Sequence, residues 1–447
     1  MNDLEFAVRQ LLKNPGFTAV AVLTLCSASS ARGQSPARTQ LNQVRPTASE
    51  AAEPAANLRS LFAARQWFTL REALDSKKSS TFYRGAVAAA FNQAHDAEKL
   101  LRSVIKAAPR SEQSEEAYEL LAHLYLQTGQ YGRLKTDLKR RLIEFPDRPD
   151  VRRDYAALGP LLDLPNQTTT KIGHAVLRHN DGLFVPLSLN GRPATYFIDT
   201  GAGISAMSES EAKRLGMTIL ETAGEMGTST SRQTQFHVAV AKQFMLGATQ
   251  LKNVSFAIFR DDQEPWVNLP AGRRGLLGIP VLLAAQRLRW ARHGTVEIGP
   301  RPARPGVRKA NLCFDEDQLM AAVRFGRQDI PLRLDTGAVN TEFYGPFADQ
   351  FQRLVAEQGK KSSQEVRGIG QVEVIESLTL PEINLVLGGL EVALRPVPVL
   401  LKQVGHKRCF GNIGMDLLKQ AAAFEIDFRS MTLDLEGNRE TGPTGAH

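Results

Sequence analysis

The tetrapeptide Asp-Thr-Gly-Ala occurs twice in this chain, at Asp199–Ala202 and at Asp335–Ala338. Apolar residues lead into each aspartate: Tyr196, Phe197 and Ile198 before the first, Leu332 and Leu334 before the second. An ionised carboxylate at the end of a buried strand is costly unless something pairs with it. Two such carboxyls brought together in a partly desolvated cleft share one proton, because both cannot ionise easily. The ionised member can then draw a proton from water while the protonated member donates to a carbonyl oxygen. That chemistry hydrolyses an acyl bond with no covalent intermediate, metal or other cofactor. The rest of the sequence offers no rival centre. The eight histidines are scattered, His174 and His237 near or on expected strands and His406 in a loop, and each reads as structural. Cys26, Cys313 and Cys409 lack metal-ligand spacing, so no zinc site is expected.

The positions around the two aspartates repeat as well. The step along the chain from Asp199 to Gly278 equals the step from Asp335 to Gly414. Each of these glycines ends a Gly-x-apolar-Gly pattern, Gly275–Gly278 and Gly411–Gly414. Residues that favour a helix start follow, Pro280 in one copy and Asp416 in the other. Each copy closes on a short alternating strand, from Thr295 and from Thr432. The chain therefore contains an internal duplication of a strand-rich unit of roughly 130 residues, a self-similarity that precedes any other reading of its fold. The segments FVPLSLNG, ATYFID, FHVAVA, QFMLG, VSFAIF and GTVEIG of the first unit all read as strands.

Each unit resembles one lobe of an aspartic peptidase of the retropepsin-like and pepsin-like kind, over about residues 170 to 437. The resemblance implies a dyad of Asp199 and Asp335 at a pseudo-twofold axis, within one chain, acting as an endopeptidase. It implies that Thr200 and Thr336 hydrogen-bond across that axis, and that Gly201 and Gly337 give the close approach and turn that glycine permits cheaply. It assigns Gly278 and Gly414 to strands that pass beside the catalytic loops. Substrate-binding flaps are expected in hairpins at Gly224–Gln235 and Val366–Val374, with Gly227 and Thr228 in one tip and Gly368, Ile369 and Gly370 in the other. The alternative for these glycine stretches is an ordinary hairpin turn. Two departures stand out: Val339 replaces the glycine found at Gly203, and Asn412 interrupts the apolar pair that is intact at Leu276 and Leu277. The two lobes are thus not equivalent, and one aspartate is expected to be the more acidic.

Ahead of the duplication, residues 57–160 have apolar residues at helical spacing, with Pro109 and Pro146 as stops. Aligned on those prolines, Gly85 matches Ala122, Ala97 matches Leu134, and Leu101 matches Leu138. The second unit resembles a tetratricopeptide repeat at Tyr118, Leu121, Ala122, Tyr125 and Pro146. Such arrays bind peptides or proteins on a concave face; the alternative is a helical spacer or lid packed on the next domain. The expected architecture is therefore multidomain α plus all-β. A short helical repeat domain (57–160) precedes two tandem aspartic-peptidase-type β-barrel lobes (170–303 and 308–437). An export signal-like segment (1–33), a flexible linker (34–56) and a disordered tail (438–447) complete it. If the helical array is independent, deleting residues 34–160 leaves a soluble core.

The net charge of +8 arises from dispersed Lys and Arg, and no basic run is interleaved with aromatics, so nucleic acid is not an expected partner. The expected partners are a peptide or protein substrate and, through the helices, a protein; the dyad within one chain suits a monomer. The apolar run GFTAVAVLTL is too short to span a bilayer. With the small residues that follow, it reads as an export signal, cleaved or not, ahead of a lipid anchor at Cys26 or a cytosolic start. The expected location is periplasmic or secreted, or tethered by the N-terminus. A second function class stays open: a peptide-binding or scaffolding protein whose lobes are inert. Carboxyls within hydrogen-bonding reach under an open cleft would favour the enzyme, and a filled space the inert module.

Overall fold

The computed structural model describes residues 54–74, 80–179, 182–227, 233–301, 309–401 and 409–437. The expected export signal, Cys26, His406, Thr228 and the expected tail lie outside these residues. Within them, an α-helical region is followed by an all-β region, as expected.

The helices of the first region are α1 (Pro54–Ala63), α2 (Trp67–Ala73), α3 (Thr81–Ala90), α4 (Ala94–Ala107), α5 (Glu112–Gln127), α6 (Tyr131–Glu144) and α7 (Pro149–Ala157), and short helices recur among the strands that follow. Residues 54–56, expected in the linker, already belong to α1; a proline is tolerated at a first helical position because the N–H it lacks would be unbonded there. The helices α4 and α6 stop just short of Pro109 and Pro146. Ser111 caps α5 by accepting from Ser114 N–H at 3.1 Å. The matched positions Ala97, Leu101, Leu134 and Leu138 are all buried, and Gly85 lets α3 approach Leu101 so closely that a Cβ there would sit 2.9 Å from the leucine.

The helical region packs on the strands that follow. Trp67 is 3% exposed and donates its indole N–H to Asp315 at 3.0 Å. Arg65 lies over the Trp67 ring and 3.8 Å from the Asp315 carboxylate. Asn92 donates to the Phe428 carbonyl at 2.8 Å. Pro160 lies against Gly224, in the hairpin of Ile219–Gly227 and Gln233–Ala241. Of the two alternatives the sequence left open, the contacts are those of helices packed on the next domain.

Two ten-stranded sheets make up the β region, one from each half of the duplication. A five-stranded sheet joins them, with strands Ala175–Arg178, Thr295–Ile298 and Arg287–Ala291 from the first half and Ala423–Asp427 and Thr432–Glu436 from the second. At the seam Trp290 pairs with Phe424, their rings stacked at 5.5 Å. Arg287, buried in the same sheet, is held by Glu297 and Glu425 from both sides of the seam. This shared sheet fixes the two halves against each other and so sets the distance between their aspartate loops. Cys313 and Cys409 are buried free thiols.

Candidate active site

Each aspartate is held by the same arrangement of strands. In the first half, β1 (Arg192–Ile198) runs parallel to β3 (Gly275–Leu277), which pairs antiparallel with β2 (Ser205–Ser208). In the second half, β4 (Gln328–Leu334) runs parallel to β8 (Gly411–Ile413), which pairs antiparallel with β5 (Glu342–Phe343). The aspartates follow β1 and β4 and are anchored at the backbone: Asp199 N–H donates to Leu277 O at 3.0 Å, and Asp335 N–H to Ile413 O at 3.1 Å. Ile279 N–H then donates to Ala202 O and Met415 N–H to Ala338 O, both at 2.9 Å.

The two loops lock on each other through the threonines. Thr200 N–H donates to Thr336 Oγ1 at 3.0 Å, and Thr336 N–H donates to Thr200 Oγ1 at 3.0 Å. Each hydroxyl in turn donates across to the opposite strand, Thr200 to Leu334 O at 2.7 Å and Thr336 to Ile198 O at 2.8 Å. Every donor and acceptor in this buried square has a partner, which makes it rigid as well as stable.

That square places the carboxyls of Asp199 and Asp335 within hydrogen-bonding reach of each other. Both residues are fully buried. Asp199 Oδ1 accepts from Gly201 N–H at 2.9 Å, and its buried Oδ2 has no donor among the described residues. Asp335 Oδ1 accepts from Gly337 N–H at 2.9 Å and Ala338 N–H at 3.2 Å, while Oδ2 accepts from Arg333 at 2.6 Å. Burial, and then the charge of Asp335, push the Asp199 carboxyl well above the usual carboxylate range, against the Gly201 N–H.

The four glycines predicted beside the dyad each stand where a side chain would collide. A Cβ on Gly201 would lie 2.5 Å from Asp335 Cγ, and one on Gly337 would lie 2.6 Å from Asp199 Cγ. Gly278 and Gly414 pass as closely by the loops, at 2.6 Å from Ala202 O and 2.5 Å from the Asn340 carbonyl carbon. Alanine at Gly201 or Gly337 overpacks a rigid site, a cost of about 1–3 kcal/mol. Asp335 is pinned by Arg333 and two N–H groups, whereas Asp199 is held by one. Gly201→Ala should therefore lower the melting temperature more than Gly337→Ala; equal melting temperatures would contradict the pinning of Asp335.

The flap candidates within the described residues lie on two hairpins, one in each half. Gly368 ends β6 (Lys360–Gly368), and Ile369 and Gly370 form the two-residue turn to β7 (Gln371–Leu380), with positive φ at Gly370 alone, as in a type II turn. Ile369 is fully buried. The turn reaches the other half of the molecule, where Gly370 N–H donates to Glu264 O at 2.9 Å and Gln371 Nε2 donates to Gln233 O at 2.8 Å. Gly227 ends a strand of the first-half hairpin, paired with Gln233. Thr228 lies outside the described residues.

Sequence reasoning passed over three residues that build this site, Ser205, Thr341 and Arg333, and singled out Asn412 without its partner. Ser205 Oγ accepts from Gly278 N–H at 3.0 Å, and Thr341 Oγ1 accepts from Gly414 N–H at 2.9 Å. These two hydroxyl residues stand the same interval apart in the chain as the aspartates do, which is the signal that could have found them. Arg333 is the third, and Asn412 accepts from its Nε at 2.9 Å. A cation two residues before a buried aspartate was visible in LRLDTG, but its partner on a distant strand was not.

The aspartyl protease family model matches residues 185–281, the stretch that holds Asp199, the first-half hairpin and Gly278. The chain carries an aspartyl protease-like domain. A solved structure of a retropepsin-like aspartic protease from Rickettsia conorii matches at 15% sequence identity and a TM-score of 0.22. That match covers 29% of this chain and 93% of the other. No curated protein matches. The second half, with Asp335, lies beyond the residues the family model matches and joins the aspartyl protease-like domain through the threonine square and the shared sheet.

Proposed function

We propose that the protein is an aspartic-type endopeptidase that hydrolyses peptide bonds with a water molecule activated between Asp199 and Asp335. The observation that carries this reading is the reciprocal pairing of Thr200 and Thr336, which holds two buried carboxyls in mutual reach. With one proton between them, the charged carboxylate takes a proton from water as the water attacks the scissile carbonyl, and the neutral carboxyl donates to the carbonyl oxygen. The roles reverse as the tetrahedral species collapses, so the pair regenerates its starting state. Burial strengthens both transfers, because a charge in a desolvated site is screened less than in water. Gly201 and Gly337 leave the room that the opposite carboxyl occupies, which a Cβ would fill.

The dyad is buried rather than set under the open cleft that would favour an enzyme, so this reading requires a cover that opens to admit substrate. The hairpin of β6 and β7 is the natural cover, since its turn is fastened to the first half by the Gly370 and Gln371 hydrogen bonds and by Arg367, 3.8 Å from Glu264. An extended peptide fits between hairpin and dyad because its own N–H and C=O groups can replace these bonds. The helical region, in this reading, supports the β region rather than recruiting a partner; its hydrogen bonds from Trp67 and Asn92 favour that role.

The test is incubation of the full chain with a mixed peptide library and mass spectrometry of the products. Internal cleavage that yields free carboxyl and amino termini is expected. An intact library across acidic and neutral pH would favour the inert, peptide-binding alternative.

A further inference from the structure

The two halves of the site differ in one coherent layer. In the first half the cross-strand pair behind the aspartate is Phe197 and Leu276, with Ala206 opposite Leu276 on the other side. In the second half the same three positions hold Arg333, Asn412 and Glu342. Three apolar residues are thus replaced together by a cation, an amide and a carboxyl. Arg333 Nε donates to Asn412 Oδ1 at 2.9 Å, which aims its other arm at Asp335 Oδ2, 2.6 Å away. Arg333 is 4% exposed and Asn412 is fully buried. A buried guanidinium is expensive unless paired, so this layer is stable only with a negative charge at its end.

We infer that Arg333, steered by Asn412, fixes the division of labour in the dyad: it holds Asp335 as the ionised member that takes the proton from water, and so leaves the shared proton on Asp199. The inference rests on the peptidase reading for the roles, but the charge assignment stands on the geometry alone. Among the described residues, Asp335 receives three donors including a cation, whereas Asp199 receives one neutral N–H and no donor reaches its buried Oδ2. Burial and the neighbouring carboxylate push Asp199 toward its neutral form, in the same direction. The other groups facing Arg333 do not cancel its charge in acid. Glu342, on β5, is pushed up to about 7 by burial, and the Tyr344 hydroxyl donates to it at 3.3 Å. Tyr344 and the Cys409 thiol are both pushed further toward their neutral forms, chiefly by burial. Asp416, across the loop, accepts from the Thr341 hydroxyl at 2.7 Å. Below about pH 7 the guanidinium therefore serves Asp335. Arg333 is a positioning residue: it acts on the reaction only through Asp335.

The test is carbon-13 NMR of the full chain labelled at the aspartate carboxyl carbons and titrated without substrate, with Asp199→Asn and Asp335→Asn used to assign the two signals. In the wild-type protein at mildly acidic pH, the Asp335 signal is expected at a carboxylate position and the Asp199 signal at a carboxylic acid position; the reverse would overturn the inference. The double variant Arg333→Phe/Asn412→Leu copies the apolar pair of the first half and leaves no orphaned amide. Arg333→Gln is the second variant and keeps a donor toward Asn412. In whichever folds, the first deprotonation of the dyad should move up by about 1–3 pH units, the usual effect of removing an opposite charge in contact. The acid limb of the cleavage profile should move with it. An unmoved first deprotonation in a folded variant would overturn the inference even in an active peptidase. A shifted deprotonation in a protein that cleaves nothing would overturn only the peptidase reading.

Discussion

Asp199→Asn and Asp335→Asn are each expected to reduce peptide cleavage by about 10²–10⁴-fold, the range that a positioned acid or base contributes. An amide keeps the shape of the carboxyl and its backbone hydrogen bonds but cannot share the proton. The two variants should differ in stability. At Asp199 the substitution replaces the neutral member of the pair and leaves the Gly201 N–H an acceptor in the amide oxygen. At Asp335 it strips the carboxylate bonded to a buried Arg333, and breaking a buried ion pair costs about 3–5 kcal/mol. The Asp335→Asn protein should therefore melt well below the Asp199→Asn protein in thermal denaturation. More than a tenth of wild-type activity in either variant would sink the dyad assignment, and equal melting temperatures would sink the ion-pair argument.

Removal of residues 54–164 should leave a β region that does not stay soluble. Independent folding was the expectation from the sequence if the helices formed a free array. The structure gives the opposite expectation, because the helical face is an internal interface. Trp67 is buried beside Asp315, and loss of a buried tryptophan alone costs about 3–5 kcal/mol. The deletion also uncovers the hairpin at Gly224, where Pro160 now packs, and strands the acceptor at Phe428. Stabilities of whole domains are only about 5–15 kcal/mol, so these losses together suffice to unfold it. Size-exclusion chromatography of the truncated chain checks this; a monodisperse core with native cleavage activity would show that the helices are dispensable.

Much of the site was legible because the duplication prints it twice. One offset along the chain links both the aspartates and the threonines, and a second, common to the two copies, places Gly278 and Gly414 beside them. Local residue types then sufficed: glycine wherever a Cβ would strike the opposite loop, and proline or aspartate where a helix starts. The asymmetry was only half legible. Asn412 was noticed as a break in an apolar pair, but its meaning depends on the register that sets it against Arg333, a pairing between strands far apart in the chain. The same holds for the fastening of the Gly370 turn to Glu264 and for the docking of Trp67 on Asp315. Neither has a periodic signal, because each joins one surface position to another with no repeat to compare. The start of α1 at Pro54 was missed because an Ala- and Pro-rich stretch reads as linker until the tertiary packing of α1 decides otherwise.

The central claim, one proton shared between Asp199 and Asp335, is tested most directly by the pH dependence of kcat/KM for a cleaved peptide, with and without a metal chelator. Only the singly protonated pair holds both an acid and a base, so the rate must fall on both sides. On the acid side it falls as the pair takes a second proton, which the Arg333 charge opposes. On the basic side it falls as Asp199 loses its proton, an event that burial and the facing carboxylate delay to above the usual carboxylate range. The account predicts a bell with its optimum on the acidic side of neutral, unchanged by the chelator. A flat profile from acid to mildly alkaline pH, or activity abolished by the chelator, would contradict it.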